Sequence, residues 1–195
     1  MGYKTFSTLL LAGGLVVSAT ASAAGPSAAM LANTCAGCHG TNGSSVGPAS
    51  PTIAGITEDY FIESMEAFQT GERGATIMDR IAKGYTADEI KAMAAYFSKQ
   101  PFVRMAQQHD PEQAKLGRKL HKKYCEKCHE DGGRKADEGG ILAGQWIPYL
   151  TIAMEDFRSG SREITKKMKK KVDEVTKDHG DASLDALIQF YGSQQ

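Results

Sequence analysis

The stretch Thr34-Cys35-Ala36-Gly37-Cys38-His39-Gly40 decides how this chain is to be read, and it has a counterpart in Tyr124-Cys125-Glu126-Lys127-Cys128-His129-Glu130. Two thiols three residues apart, with a histidine directly after the second, make the C-x-x-C-H attachment site of a c-type haem. Across one helical turn Cys35 and Cys38 can both reach the vinyl groups of one porphyrin as thioethers. The adjacent His39 then points an imidazole nitrogen at the iron, for which imidazole is a good axial ligand. Cys125, Cys128 and His129 repeat the arrangement, so all four cysteines of the chain are used in one way.

Three other uses of paired cysteines fit less well. A disulfide framework suits an exported chain, but leaves the histidine after each pair without a reason. A thioredoxin-like redox motif needs a βαβ context, which is absent from the pattern. A zinc ribbon separates its pairs by about 15–20 residues, whereas 86 residues lie between Cys38 and Cys125.

The motifs are 90 residues apart, and the likeness continues beyond them. Ile53-Ala54-Gly55 is answered by Leu142-Ala143-Gly144, and Tyr60-Phe61 by Tyr149-Leu150. Met65, Phe68, Gly71 and Arg73 are answered by Met154, Phe157, Gly160 and Arg162, now 89 residues on. Ala95-Tyr96-Phe97 resembles Gln189-Phe190-Tyr191. The chain reads as a duplicated unit, each half small enough to need a buried porphyrin to complete its interior.

Periodicity within each half is helical. Met30, Leu31 and Thr34 lead into the first motif; Leu116, Leu120 and Tyr124 lead into the second. Phe61, Met65 and Phe68 share one helical face. Thr86 to Glu89 forms a capping box, followed by the stripe Ile90, Met93, Ala94 and Phe97, and Ser183 opens a similar helix. Nothing alternates with period two. The expected fold is all-α: two tandem class I cytochrome c-type domains, residues 24–100 and 115–195, joined by a linker at 101–114 punctuated by Pro101 and Pro111.

Residues 1–23 read as a cleaved signal peptide. Lys4 is the only charge before Glu58, Phe6 to Val17 is apolar, and Ala21-Ser22-Ala23 has the small-x-small form of a cleavage site. The apolar run is shorter than the roughly 20 residues needed to span a bilayer. Export places the chain in the periplasm. Without Lys4 the chain carries 22 basic and 23 acidic side chains, a balance that argues against nucleic acid as partner. Residues 24–104 carry only 14 charges, residues 105–195 carry 31.

A second axial ligand is needed on each iron, and methionine sulfur is the ligand that raises the potential of electron carriers. Met65 and Met154 sit between aromatics on core stripes, and Met93 lies inside an amphipathic helix. Met78 and Met168 remain, each 39 residues after its histidine, His39 and His129. Both follow a Gly/Arg-rich break. His109, His121 and His179 have no counterparts; His121, beside Lys122 and Lys123, reads as solvated, with a bis-histidine haem the alternative. Lys166 to Lys171 surrounds Met168, as a solvated face or as a docking patch.

Leu142-Ala143-Gly144-Gln145 to Leu150 and Phe157 to Arg162, with the two haem motifs, resemble the dihaem cytochrome c4 family. Ser45 to Pro51, Thr76 to Tyr85, Ile141 to Trp146 and Leu184 to Gln195 are similar to the dihaem cytochrome subunits of flavocytochrome c sulfide dehydrogenases. The resemblance implies two covalent haem c groups and a flavoprotein partner subunit carrying FAD. It also implies a soluble c-type cytochrome as acceptor. It further suggests that the Pro48 carbonyl accepts Nδ1–H of His39; an ordinary loop proline is the alternative. Ala136 to Gly140 has no proline to do this for His129. No residue resembles an acid, base or nucleophile for sulfide chemistry, so the chain itself reads as an electron carrier. Low charge around the first motif, Ser44 to Gly55 and Gly74 to Met78, suggests that the N-terminal half faces the flavoprotein. A free-standing cytochrome c4-type carrier to a terminal oxidase is the competing expectation.

Overall fold

The computed structural model describes residues 25–135 and 139–195. The signal-peptide reading of residues 1–23 and part of the loop before Gly139 lie outside the described residues.

In the first half, α1 (Ala28–Asn33), capped by Ser27, leads into α2 (Ala36–His39), which with Cys35 just before it carries the first C-x-x-C-H. α3 (Glu58–Thr70) follows, started by Thr57, whose hydroxyl accepts from Tyr60 N–H. Its face Phe61, Met65 and Phe68 is buried as the periodicity predicts. α4 (Met78–Ile81) is one turn long. α5 (Ala87–Phe97) has the full Thr86–Glu89 capping box and buries Ile90, Met93, Ala94 and Phe97. α5 packs against both α1 and α3, and the three share one apolar cluster.

The second half repeats the plan. Residues 101–110 carry no helix, and α6 (Pro111–Leu120) begins at a proline in its first turn, where the absent N–H costs nothing. A π-turn, His121–Cys125, joins α6 to the second motif. α7 (Glu130–Gly133), α8 (Ile147–Ser159), α9 (Lys166–His179) and α10 (Ala182–Gly192) complete the chain. α10 starts at Ala182, with Asp181 just before it, rather than at Ser183, which lies within the helix and is buried. Leu120, Tyr124, Leu150, Val175, Leu187 and Phe190 anchor the second cluster. Leu116, expected on the inner stripe, is largely exposed. Among the described residues there is no strand; one antiparallel bridge joins Arg73 to Arg162. No described helix is long and apolar enough to cross a membrane.

His121 corrects the sequence expectation of a solvated side chain. It is 2% exposed. Its Nε2–H donates to the Glu126 carboxylate, so the neutral ring accepts at Nδ1 from the Tyr191 hydroxyl, 3.0 Å away. Burial lowers the His121 pKa more than Glu126 raises it. Register explains the burial. Ninety residues earlier stands Leu31, a core residue, and Tyr191 answers Phe97. The second half thus places a histidine–tyrosine pair where the first half has leucine and phenylalanine. His121→Leu alone strands the buried Tyr191 hydroxyl and is expected to cost about 2 kcal/mol. Adding Tyr191→Phe imports the first half's pair and should recover most of that loss. Urea unfolding of these two variants beside the unmutated chain checks it, and a double variant no better than the single would overturn it.

Candidate haem sites and the contact between the halves

Each C-x-x-C-H occupies a single turn. Cys35 packs against the first apolar cluster and Cys125 against the second, while Cys38 and Cys128 are exposed. The four thiols are unpaired. Among the described residues no cluster of three or more His, Cys, Asp or Glu could hold a metal ion.

The two histidines differ in what holds them. His39 is 8% exposed, and its Nδ1–H donates to the carbonyl of Pro51 at 2.8 Å. The acceptor is therefore Pro51 and not Pro48. The chain loops through Gly47 and Pro48 before it returns over the histidine, with Ser45 Oγ bonded to the Ser50 carbonyl and to Gly47 N–H. His129 is half-buried, and its Nδ1, sealed from solvent, meets no partner among the described residues. Burial pushes the pKa of both imidazoles down, toward the neutral form that binds metal.

The methionines separate as their spacing suggests, in part. Met65 and Met93 are core residues, 5% and 0% exposed. Met78 opens α4 and packs against the same cluster as Cys35. Met168 lies in the first turn of α9, part-buried, and its N–H is capped by Thr165. The structure does not bring Met168 onto the second cluster; Met154 and Val172 fill that surface. The side chains of Lys166, Lys169, Lys170 and Lys177 are arrayed along one face of α9 with Asp173 and Glu174. Lys169 pairs with Asp173, and Lys171 with Glu174.

The recurring F-x-x-G-x-R segments have a geometric reason that spacing alone does not reveal. α3 and α8 each end at a glycine in the left-handed region, Gly71 and Gly160, both at φ 81°. The chain reverses there, and each arginine folds back over its own phenylalanine, Arg73 over Phe68 at 4.5 Å and Arg162 over Phe157 at 4.3 Å. Each guanidinium also crosses to the other half. Arg162 donates to the Tyr60 hydroxyl at 2.8 Å, and Arg73 to the Tyr149 hydroxyl at 3.3 Å. Gly74 N–H meets the Ser161 carbonyl between them at 3.2 Å. Burial pushes the Tyr60 phenol up, but the guanidiniums outweigh it and hold it below the ordinary tyrosine range. Tyr149 is raised by burial and by Tyr60. Neither arginine has a carboxylate partner among the described residues. Two part-buried cations without counter-ions fit a site whose occupant brings anionic groups, as the propionates of a porphyrin would.

A second contact is one-sided. Gln145 and Trp146 of the second half reach the Ser45–Thr52 loop of the first. Neither residue is singled out by the haem motifs. The nearest signal was their place just after Leu142-Ala143-Gly144, where the first half has Ile56 and Thr57.

The family model described as Cytochrome c matches residues 23–100. Cytochrome c4 of Pseudomonas aeruginosa is 32% identical over 172 residues, covering 82% of this chain and 83% of the relative. The cytochrome subunit of sulfide dehydrogenase of Chlorobaculum tepidum is 40% identical over 97 residues, 46% of this chain and 87% of the relative. The crystal structure of reduced recombinant cytochrome c4 from Pseudomonas stutzeri superposes with a TM-score of 0.69 at 25% identity, covering 83% of this chain and 94% of that one. With two C-x-x-C-H halves, an all-α fold and a relative matched along most of both chains, this protein belongs to the cytochrome c4-like family of dihaem electron carriers with covalently bound haem c.

Proposed function

We propose that the chain is the periplasmic dihaem subunit of a sulfide dehydrogenase, taking electrons from an FAD-bearing flavoprotein subunit and passing them to a soluble c-type cytochrome. One haem would be bound through Cys35 and Cys38, with His39 and Met78 as axial ligands. The other would be bound through Cys125 and Cys128, with His129 and Met168. Domain limits of 24–100 and 115–195 about a 101–114 linker accord with one haem per half. Each haem, when bound, supplies reversible one-electron chemistry at iron.

The single observation that carries the haem-carrier part of the reading is the commitment of His39 Nδ1–H to the Pro51 carbonyl. It fixes the tautomer, orients the ring and leaves Nε2 free for a metal. The remaining residues then have roles. The apolar clusters behind Cys35 and Cys125 exclude water from one side of each site. Arg73 and Arg162, part-buried and without a carboxylate partner among the described residues, would neutralise carboxylates that a bound haem brings. Support for the sulfide dehydrogenase partner is the 40% identity to a protein of that description, over 46% of the chain.

A free-standing carrier is favoured by a different observation: the cytochrome c4 relative matches 82% of the chain. Isolation of the native protein separates the two. A flavin in stoichiometric association supports the subunit reading; a pure dihaem chain, encoded apart from any flavoprotein, overturns it. Intact mass of the exported chain should show two added haems, and one or none would overturn the assignment of both sites.

The lysines of α9 supply a further test. Reversing Lys169, Lys170 and Lys171 to glutamate should slow reduction of the soluble acceptor about tenfold at low salt, with the difference shrinking as salt is added. The flavoprotein should stay bound if it faces the sparsely charged first half. Release of the flavoprotein with acceptor reduction unchanged would reverse the assignment of the two faces.

A further inference from the structure

We infer that Gln145, a residue of the second half, is a positioning residue for the first haem: its amide grips the peptide whose carbonyl holds the iron ligand His39. The inference rests on the reading of His39 as that ligand.

The peptide between Pro51 and Thr52 is bonded at both ends. Its carbonyl accepts from His39 Nδ1–H at 2.8 Å. Its N–H donates to Gln145 Oε1 at 3.0 Å. Because a peptide unit is planar, with N–H and C=O pointing oppositely, one bond aligns the other. The series Gln145 Oε1, Thr52 N–H, Pro51 C=O, His39 Nδ1–H is thus one continuous line of dipoles. Each hydrogen bond in such a line polarises the next. Gln145 therefore makes the Pro51 oxygen a better acceptor and the His39 ring a more basic ligand.

The grip is built and buried. Gln145 and Thr52 are each 3% exposed. Gln145 Nε2 also donates to the Thr52 carbonyl at 2.9 Å, so the amide clasps both sides of Thr52. Gln145 Oε1 takes a second bond from Trp146 N–H at 3.1 Å, which sets the amide's orientation. Trp146 Nε1–H donates to the Ser45 carbonyl at 3.3 Å. The Trp146 ring lies on Gly47, at φ 87°, where a Cβ would come within 2.8 Å of it. Both ends of the loop that carries Pro51 are thereby tied to the second half.

The arrangement has no mirror image. The residue answering Gln145 is Ile56, which has no amide and is buried in the first cluster. The residue answering Pro51 is Gly140, which lies against the Tyr60 ring, and His129 Nδ1 is unpartnered among the described residues. Two sites of similar ligand set are thus given different basicity at the histidine. A more basic histidine stabilises ferric iron, so the grip lowers the potential of the first haem relative to its value without it.

The test uses the full mature chain with both haems attached. Gln145→Met keeps length and burial but removes the acceptor for Thr52 N–H. At a fixed potential it should raise the reduced-to-oxidised ratio of the first haem about threefold, roughly 30 mV for a one-electron couple, and leave the second unchanged. In the ferrous protein the His39 Nδ1–H resonance should move upfield. Gln145→Glu keeps an acceptor at Oε1 and should not raise the first potential. If Gln145→Met does not accumulate, a raised first potential in the Gln145→Glu variant is itself the overturning result. An unmoved first haem in the Gln145→Met variant, or equal shifts in both haems, also overturns the inference. Loss of a haem mass in the unmutated chain would instead refute the site assignment on which it rests.

Discussion

Met78→Ala and Met168→Ala are each expected to leave a chain with two haems attached but one iron open. Thioether attachment through Cys35 and Cys38, or Cys125 and Cys128, does not depend on the distal ligand. The ferric charge-transfer band of a methionine–histidine haem should lose the contribution of one haem in each variant. Carbon monoxide should then bind one ferrous site readily, and that haem's potential should fall, because thioether sulfur favours the ferrous state. Met65→Ala is the contrasting substitution. Met65 is 5% exposed among Phe61, Phe68 and the α5 stripe. Its loss should cost about 2–5 kcal/mol of stability with the band intact. If Met65→Ala or Met154→Ala removes the band instead, the ligand pair is wrong. Met168 bears the heavier burden here, since it lies off the second cluster where Met154 packs on it.

Gly117→Val is expected to prevent the second half from folding stably. α6 and α10 cross at this glycine, and a Cβ there would lie 1.9 Å from the Ala186 carbonyl oxygen and 2.8 Å from Phe190 Cβ. The obstacle is backbone, which cannot swing aside as a side chain can. The two helices must part, and with them the Leu120, Leu187 and Phe190 contacts. The loss should be about 3 kcal/mol or more, read as a lower urea midpoint and poor retention of the second haem. Gly84→Ala, exposed with no heavy atom within 4 Å of its added Cβ, should be within about 0.5 kcal/mol of wild type. A Gly117→Val chain as stable as that control would show that the crossing has slack.

Local chemistry made much of this protein legible in its residues. C-x-x-C-H needs only a helical turn, so Cys35 to His39 and Cys125 to His129 declare their use wherever the chain folds. The 3.6-residue stripe of Phe61, Met65 and Phe68 and the Thr86–Glu89 box depend on neighbours within one helix. The duplication announced two similar halves because their core positions recur at a near-constant offset. Even His121 was readable in this way: its register with Leu31 marks an inward face, although its lysine neighbours suggested solvent.

What lay beyond the linear pattern involves residues that meet only in the tertiary fold, either where a loop returns within one half or where the two halves dock. Pro48 and Pro51 are equally available as acceptors along the chain, and the path of the loop chose Pro51. Gly71 and Gly160 recur in sequence, but only their left-handed turns carry Arg73 to Tyr149 and Arg162 to Tyr60. Gln145 and Thr52 are 93 residues apart, and no helical period or motif spacing relates them. Secondary structure and cofactor attachment are short-range problems that side-chain type and spacing determine. Which peptide faces a histidine, and which half tunes the other, are questions of tertiary register, settled by how two buried surfaces satisfy each other's hydrogen bonds.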